Sequence, residues 1–263
     1  MMKSGQKRPN YFGFGQKNYA KRLKGYSNRG YVSNRRTLTR RYRGVNTSNK
    51  RYFMCKSLKD EVFCAVAGVR NGMIYSDYFT LPSLGQGVET RNTNRVKIWT
   101  VNLDGRFSVC HIGQPDHQMV EDPSQSVDIP NIEGNIGLFV VLDRMPVPSA
   151  IPTFGDVFGE VPNDVSSILD QHVRVDQLSR FKVLVRERRY VNESLHGSTI
   201  NLKRYVKLSG RNRVVTTFKD MGTNTSGRYG NIRDNALVIY AVWESNVPSL
   251  MRFSINSRTV YFH

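Results

Sequence analysis

The sequence has no apolar run near the ~20 residues that a membrane-spanning helix needs. Its longest runs, residues 236–243 and 136–142, are of strand length. No apolar segment of a secretory signal stands near the N-terminus, which is filled with Lys, Arg, Asn and Gly. The three cysteines, Cys55, Cys64 and Cys110, are too few for a disulfide framework and suit a reducing compartment. The sequons at Asn46, Asn192 and Asn224 then read as chance matches, because glycosylation requires secretion. A soluble intracellular chain is expected. Signatures of catalysis are missing too. The glycine pairs Gly13/Gly15 and Gly85/Gly87 lack the Lys-Ser/Thr and the following helix of a phosphate loop. No nucleophile elbow, His-Glu-x-x-His or Cys-x-x-Cys occurs. Cys110 and His111 are adjacent, so on a strand they point to opposite faces and make a poor metal pair with His117. Asp143-Arg144 reads as a strand-end ion pair. No enzyme, cofactor or metal is expected.

The absence with the most consequence is that of negative charge. The 263 residues carry 39 Lys and Arg against 21 Asp and Glu, a net of +18, yet no acid precedes Asp60. Residues 1–59 hold 17 of the bases, and the rest of the chain holds 22 bases with all 21 acids, a net of +1. The first ~50 residues also have few aliphatics (Leu23, Val32, Leu38, Val45), so they cannot bury enough apolar surface to fold alone. Residues 1–56 are therefore predicted to be a disordered arm, and residues 57–263 a folded domain.

The arm has the composition of a nucleic-acid binder. Lys17, Lys21, Arg22, Lys24, Arg29, Arg35, Arg36, Arg40, Arg41, Arg43, Lys50 and Arg51 are candidate phosphate contacts, whose counterion release makes affinity salt-dependent. Among and around them stand Tyr11, Phe12, Phe14, Tyr19, Tyr26, Tyr31, Tyr42 and Tyr52, rings on which unpaired bases stack. Neither kind of contact reads base edges, so binding independent of sequence is expected. The same bases form an import address: Lys21, Arg22 and Lys24 precede Arg35, Arg36, Arg40, Arg41 and Arg43 at bipartite spacing. In the body, Val175, Leu178, Phe181 and Val183 have the apolar spacing of a nuclear export signal; the segment also reads as a short helix running into a core strand. Secondary basic clusters lie at residues 180–189 and 203–213.

Strand patterns dominate the body. Asn71-Gly72 between residues 62–69 and 73–79, and Asp104-Gly105 between 95–102 and 107–112, read as hairpin turns. Residues 136–142 and 236–243 read as fully buried strands. Residues 199–208 alternate, with Ile200, Leu202, Val206 and Leu208 on one face. Residues 213–219 and 250–262 complete the set. Only two short helices are expected, Val165–His172 capped by Asp164 and one turn over Phe154–Phe158. The fold class is all-β: a jelly-roll-like antiparallel β-sandwich carrying a disordered basic N-terminal arm.

Several body segments resemble the nuclear shuttle proteins of bipartite begomoviruses, plant viruses with single-stranded DNA genomes. They are Phe79-Thr80-Leu81-Pro82-Ser83-Leu84-Gly85, then Ile132-Glu133-Gly134 and the run from Leu138 to Arg144 with Pro146. Thr153 to Gly159, Phe218-Lys219-Asp220, and the series Gly227, Tyr229, Asn231, Ile232, Asn235 to Val238, Tyr240, Trp243 and Ser245 continue the likeness. The resemblance spans about residues 75–250. It implies a protein that binds viral DNA, single-stranded or, as an alternative, double-stranded, moves it between host nucleus and cytoplasm with host import and export receptors, and passes it to a viral movement protein at the cell periphery. The Val260-Tyr261-Phe262 finish and the Asp143-Arg144-x-Pro146 segment also resemble geminivirus coat proteins, which implies as an alternative a DNA-packaging capsid subunit and a homo-oligomer.

Overall fold

A computed structural model of the protein describes residues 56–87, 89–112, 131–148, 150–160, 168–193, 199–220 and 225–263. The predicted arm, apart from Lys56, lies outside the described residues, as does Asp164.

Two apolar stretches set the architecture. Strands β4 (Ile132–Asp143) and β9 (Ala236–Ser245) pair antiparallel from Gly134↔Ser245 to Asp143↔Ala236. Every side chain from Ala236 to Trp243 is buried. Burial on both faces requires a layer on each side of the strand pair. One layer is the five-residue helix α1 (Phe154–Phe158), whose Phe154 ring lies 5.6 Å from both Phe139 of β4 and Tyr240 of β9. A capping box starts this helix: Thr153 Oγ1 accepts from the Asp156 amide, and the Asp156 carboxylate accepts from the Thr153 amide. The other layer is a second sheet.

The remaining strands are β1 (Lys56–Arg70), β2 (Ile74–Tyr78), β3 (Arg95–His111), β5 (Phe181–Glu193), β6 (Thr199–Lys207), β7 (Val214–Phe218), β8 (Ile232–Asp234) and β10 (Ser249–Phe262). One sheet runs β1-β10-β3-β7-β8, with β6 also paired to β3; the other runs β2-β9-β4-β5. Setting aside the short β7 and β8, the orders β1-β10-β3-β6 and β2-β9-β4-β5 are the nested antiparallel pairing of a jelly roll. The two sheets meet through pairs such as Tyr75 of β2 and Phe253 of β10, edge to face with centroids 5.0 Å apart. The all-β, jelly-roll expectation holds in the described residues.

Two turn expectations are corrected. Arg70-Asn71-Gly72 does form a tight turn, with Gly72 at φ 77° and the Met73 amide donating to Arg70 O at 2.9 Å. It is not a hairpin, because β1 pairs with β10 and β2 with β9, so the turn carries the chain between sheets. Leu103-Asp104-Gly105 is no turn at all. It lies inside the 17-residue β3, flanked by β10 and β6, which satisfy its backbone on both sides. Gly105 is needed there for room, since a Cβ would stand 2.8 Å from the Phe107 ring. Of the predicted helix ending at His172, the described part is one 3-10 turn, Ile168–Asp170.

Candidate nucleic-acid interface

The predicted phosphate contacts from Lys17 to Arg51, which include all the import candidates, lie outside the described residues. Among the described residues, the candidate surface is the basic surface of the body. β5 is an edge of one sheet and β6 an edge of the other, and the two meet where Arg204 Nη1 lies 3.6 Å from Glu187 Oε2. Most cations here are engaged. Arg189 reaches the same Glu187 at 3.2 Å, Arg188 pairs with Asp170 at 3.4 Å, and Lys203 pairs with Asp104 at 3.1 Å. Arg186 donates to Gln171 O and lies 5.4 Å from the centre of the Phe139 ring. Lys182 donates to Asn212 Oδ1 at 2.8 Å. These contacts are exposed and each contributes little to stability.

A different cluster stands on the outer face of the β1-β10-β3 sheet. Alternation along β3 puts Lys97 and Trp99 on one face, and alternation along β6 brings Lys207 to it. Lys97 Nζ lies 4.8 Å and Lys207 Nζ 5.9 Å from the centre of the half-buried Trp99 ring. Phe262 meets Trp99 edge to face at 5.7 Å, and Lys56 is the strand partner of Phe262. Burial, and then the charge of Arg213, lower the Lys97 ammonium below its ordinary pKa. Among the described residues, Lys56, Lys97, Lys207 and Arg213 form no ion pair. Of these, the second basic cluster of the sequence, residues 203–213, includes Lys207 and Arg213. The alternation Lys97-Ile98-Trp99, which shows a Trp to the polar face, is the signal that marks the rest.

The export candidates do not share one exposed face. Val175 is 86% and Leu178 54% exposed, around the 3-10 turn Val175–Gln177, whereas Phe181 is 2% exposed. Phe181 opens β5 and pairs with Asp143, and Val183 packs against the core. The short-helix-into-strand reading describes the segment.

Two buried ion pairs shape the loops around this body. Asp143 is wholly buried, but its partner is Arg180, not the expected Arg144. Arg180 donates to both carboxylate oxygens at 3.0 and 2.8 Å, and the Tyr229 hydroxyl at 2.6 Å and the Met145 amide at 3.0 Å complete the set. Arg144, at the surface, donates instead to Ser179 O. Burial and the neighbouring Asp143 push the Tyr229 hydroxyl far above the usual phenol range, so it stays a donor. The second pair is Arg91 and Asp220, with the Arg91 guanidinium 3.7 Å over the Phe218 ring. The four donors on Asp143 satisfy that buried carboxylate, which is what offsets its desolvation.

Comparison with known proteins fits this body. The chain is 29% identical over 191 residues to the nuclear shuttle protein of Squash leaf curl virus, covering 66% of each chain, just under two thirds of that relative's length. It is 27% identical over 221 residues to the nuclear shuttle protein of Indian cassava mosaic virus, covering 80% of each. Among solved structures, the 60-mer BFDV capsid protein aligns over 80% of this chain and 92% of its own at 11% identity, with a TM-score of 0.26. The family described as geminivirus coat protein/nuclear export factor BR1 matches residues 7–263, nearly the whole sequence, and the chain belongs to that family.

Proposed function

We propose that this protein is a viral nuclear shuttle protein: it binds single-stranded viral DNA, carries it between host nucleus and cytoplasm, and passes it to a viral movement protein at the cell periphery. The observation that carries the reading is the charge division, 17 bases and no acid in residues 1–59 ahead of a body of net +1. The arm supplies phosphate contacts and the import address, from Lys21 to Arg43, while the sandwich supplies surfaces for protein partners. Likeness to two nuclear shuttle proteins supports the transport role. Import uses host receptors that read the arm. Export uses the region of Val175 and Leu178, the two exposed apolar side chains of the candidate segment. The test is localisation of the fluorescently tagged full-length chain in plant cells, with and without an inhibitor of the export receptor. The reading expects nuclear accumulation when export is blocked; a distribution that the inhibitor leaves unchanged contradicts it.

A second reading is favoured by the nested β1-β10-β3-β6 and β2-β9-β4-β5 strand order and by a family that includes coat proteins. On it, copies of the chain assemble and the arm neutralises packaged DNA. Electron microscopy of the protein mixed with single-stranded DNA separates the two. Closed particles of uniform size favour a coat, and small irregular complexes favour the shuttle.

A further inference from the structure

We propose that the outer face of the sheet at Trp99 is a stacking site for an unpaired nucleobase of single-stranded nucleic acid, with Lys97, Lys207 and Arg213 holding the flanking phosphates. The inference rests on the nucleic-acid reading above and moves part of the binding from the arm onto the body.

The chemistry follows from what surrounds the ring. Trp99 is half-buried, braced at its edge by Phe262 at 5.7 Å, so its orientation is fixed while part of its surface stays open. Two ammonium groups, Lys97 Nζ at 4.8 Å and Lys207 Nζ at 5.9 Å, rest near the ring centre. A cation over an indole face is a modest interaction at an exposed site. Two like charges sharing one ring, with Arg213 close enough to disfavour the Lys97 charge, repel one another. No carboxylate of the described residues pairs with any of the three. An arriving base takes the ring face, and the flexible lysine stems swing aside to meet the phosphates on either side.

The charge of the cluster selects the occupant. A second copy of this chain would bring the same uncompensated cations to the contact. Lys56 opens β1 as the strand partner of Phe262 and adds a further cation at this corner of the sheet. A polyanion is what such a cluster of cations without carboxylate partners attracts. A duplex does not fit the role, since its bases are already stacked.

The sequence supplies its own probe. Of the two tryptophans, Trp243 is wholly buried, so any quenching of emission by an added oligonucleotide reports on Trp99. The experiment titrates full-length protein with oligothymidylate of about 20 nucleotides, following tryptophan emission and the anisotropy of a labelled oligonucleotide together. The expected result is quenching that saturates with the anisotropy change. Trp99→Ala then weakens affinity about tenfold, Trp99→Phe keeps it within about twofold, and Lys97→Gln with Lys207→Gln lowers the salt slope by about 1.4. Buried Trp243 emission checks that each variant is folded. Binding by anisotropy with unchanged emission and unchanged Trp99→Ala affinity overturns the site and leaves the arm as the binder. Equal quenching by inorganic polyphosphate or by duplex DNA overturns base stacking. No binding by either signal overturns this site and the nucleic-acid reading together.

Discussion

Arg91 and Asp220 are 129 residues apart, and the wholly buried guanidinium donates to both oxygens of that carboxylate. Two further hydrogens go to Pro82 O at 3.0 Å and Thr93 O at 2.7 Å. The pair ties the segment after β2 to the end of β7. A lysine has neither the fork nor the flat face over Phe218, so Arg91→Lys leaves Asp220 short of partners. The expected loss is about 3 kcal/mol, read as a lower urea midpoint at unchanged m-value.

Stability falls in two steps as pH is lowered. Burial in the β1–β10 corner, against Ser57 and Asn92, lowers the His263 ring below its ordinary pKa of 6.5. The unfolded chain therefore takes up that proton first, and stability is complete above about pH 6.5 and declines below it. Asp220 behaves as a depressed carboxylate: its bond to Arg91 holds its pKa below 3.8, so its contribution is present above that value and lost beneath it. Melting temperature measured from pH 8 to pH 3 checks both. His263→Gln removes the upper step, and a melting temperature that rises on acidification from pH 7 contradicts the assignment.

Among the described residues, Gly227 is the glycine with the closest backbone approach. A Cβ there would stand 1.5 Å from Leu81 O, in a segment where the Leu81 amide donates to Gly227 O at 3.0 Å. Gly227→Ala must push the two backbones apart, at a cost of about 3 kcal/mol. Gly155→Ala is the control: a Cβ in α1 meets only Thr153 Oγ1, at 3.8 Å, and chemical denaturation is expected to show no loss.

Much of this was legible in the residues. The runs 136–142 and 236–243 are buried because both faces are covered, and continuous apolarity reports that directly. The single turn over Phe154–Phe158 was legible as a helix candidate, while its Thr153–Asp156 capping box is seen in the structure. The misreadings share one cause, that local signals do not say which strand lies alongside. Asn71-Gly72 specifies a tight turn but not whether the chain stays in its sheet, and Gly105 looks like a turn until β10 and β6 are seen on either side. The partner of Asp143 was out of reach for the same reason, since Arg180 is 37 residues away and Arg144 adjacent. Charge counting picks out the acid-free segment 1–59, while the Trp99 cluster draws on β3, β6 and β10 and exists only once they pair.

Val175 and Leu178 separate recognition from folding in the export segment. Both are exposed, so Val175→Ala with Leu178→Ala leaves stability within about 0.5 kcal/mol. If they are read by an export receptor, the tagged double variant accumulates in the nucleus without any inhibitor. Phe181→Ala empties a core position and lowers stability by about 3–5 kcal/mol, so a localisation change in that variant reports on folding.

The most direct test of the central claim, that the acid-free N-terminal segment holds single-stranded DNA, is the salt dependence of affinity in the full-length chain. Affinity for an oligothymidylate is measured across a series of salt concentrations for the natural sequence and for a variant with Arg35, Arg36, Arg40, Arg41 and Arg43 changed to Gln. With a slope near −0.7 per phosphate contact on single strands, the variant is expected to bind more weakly and to lose about 3.5 from the slope of log affinity against log salt. Equal affinity and an equal slope in the two proteins would contradict the account.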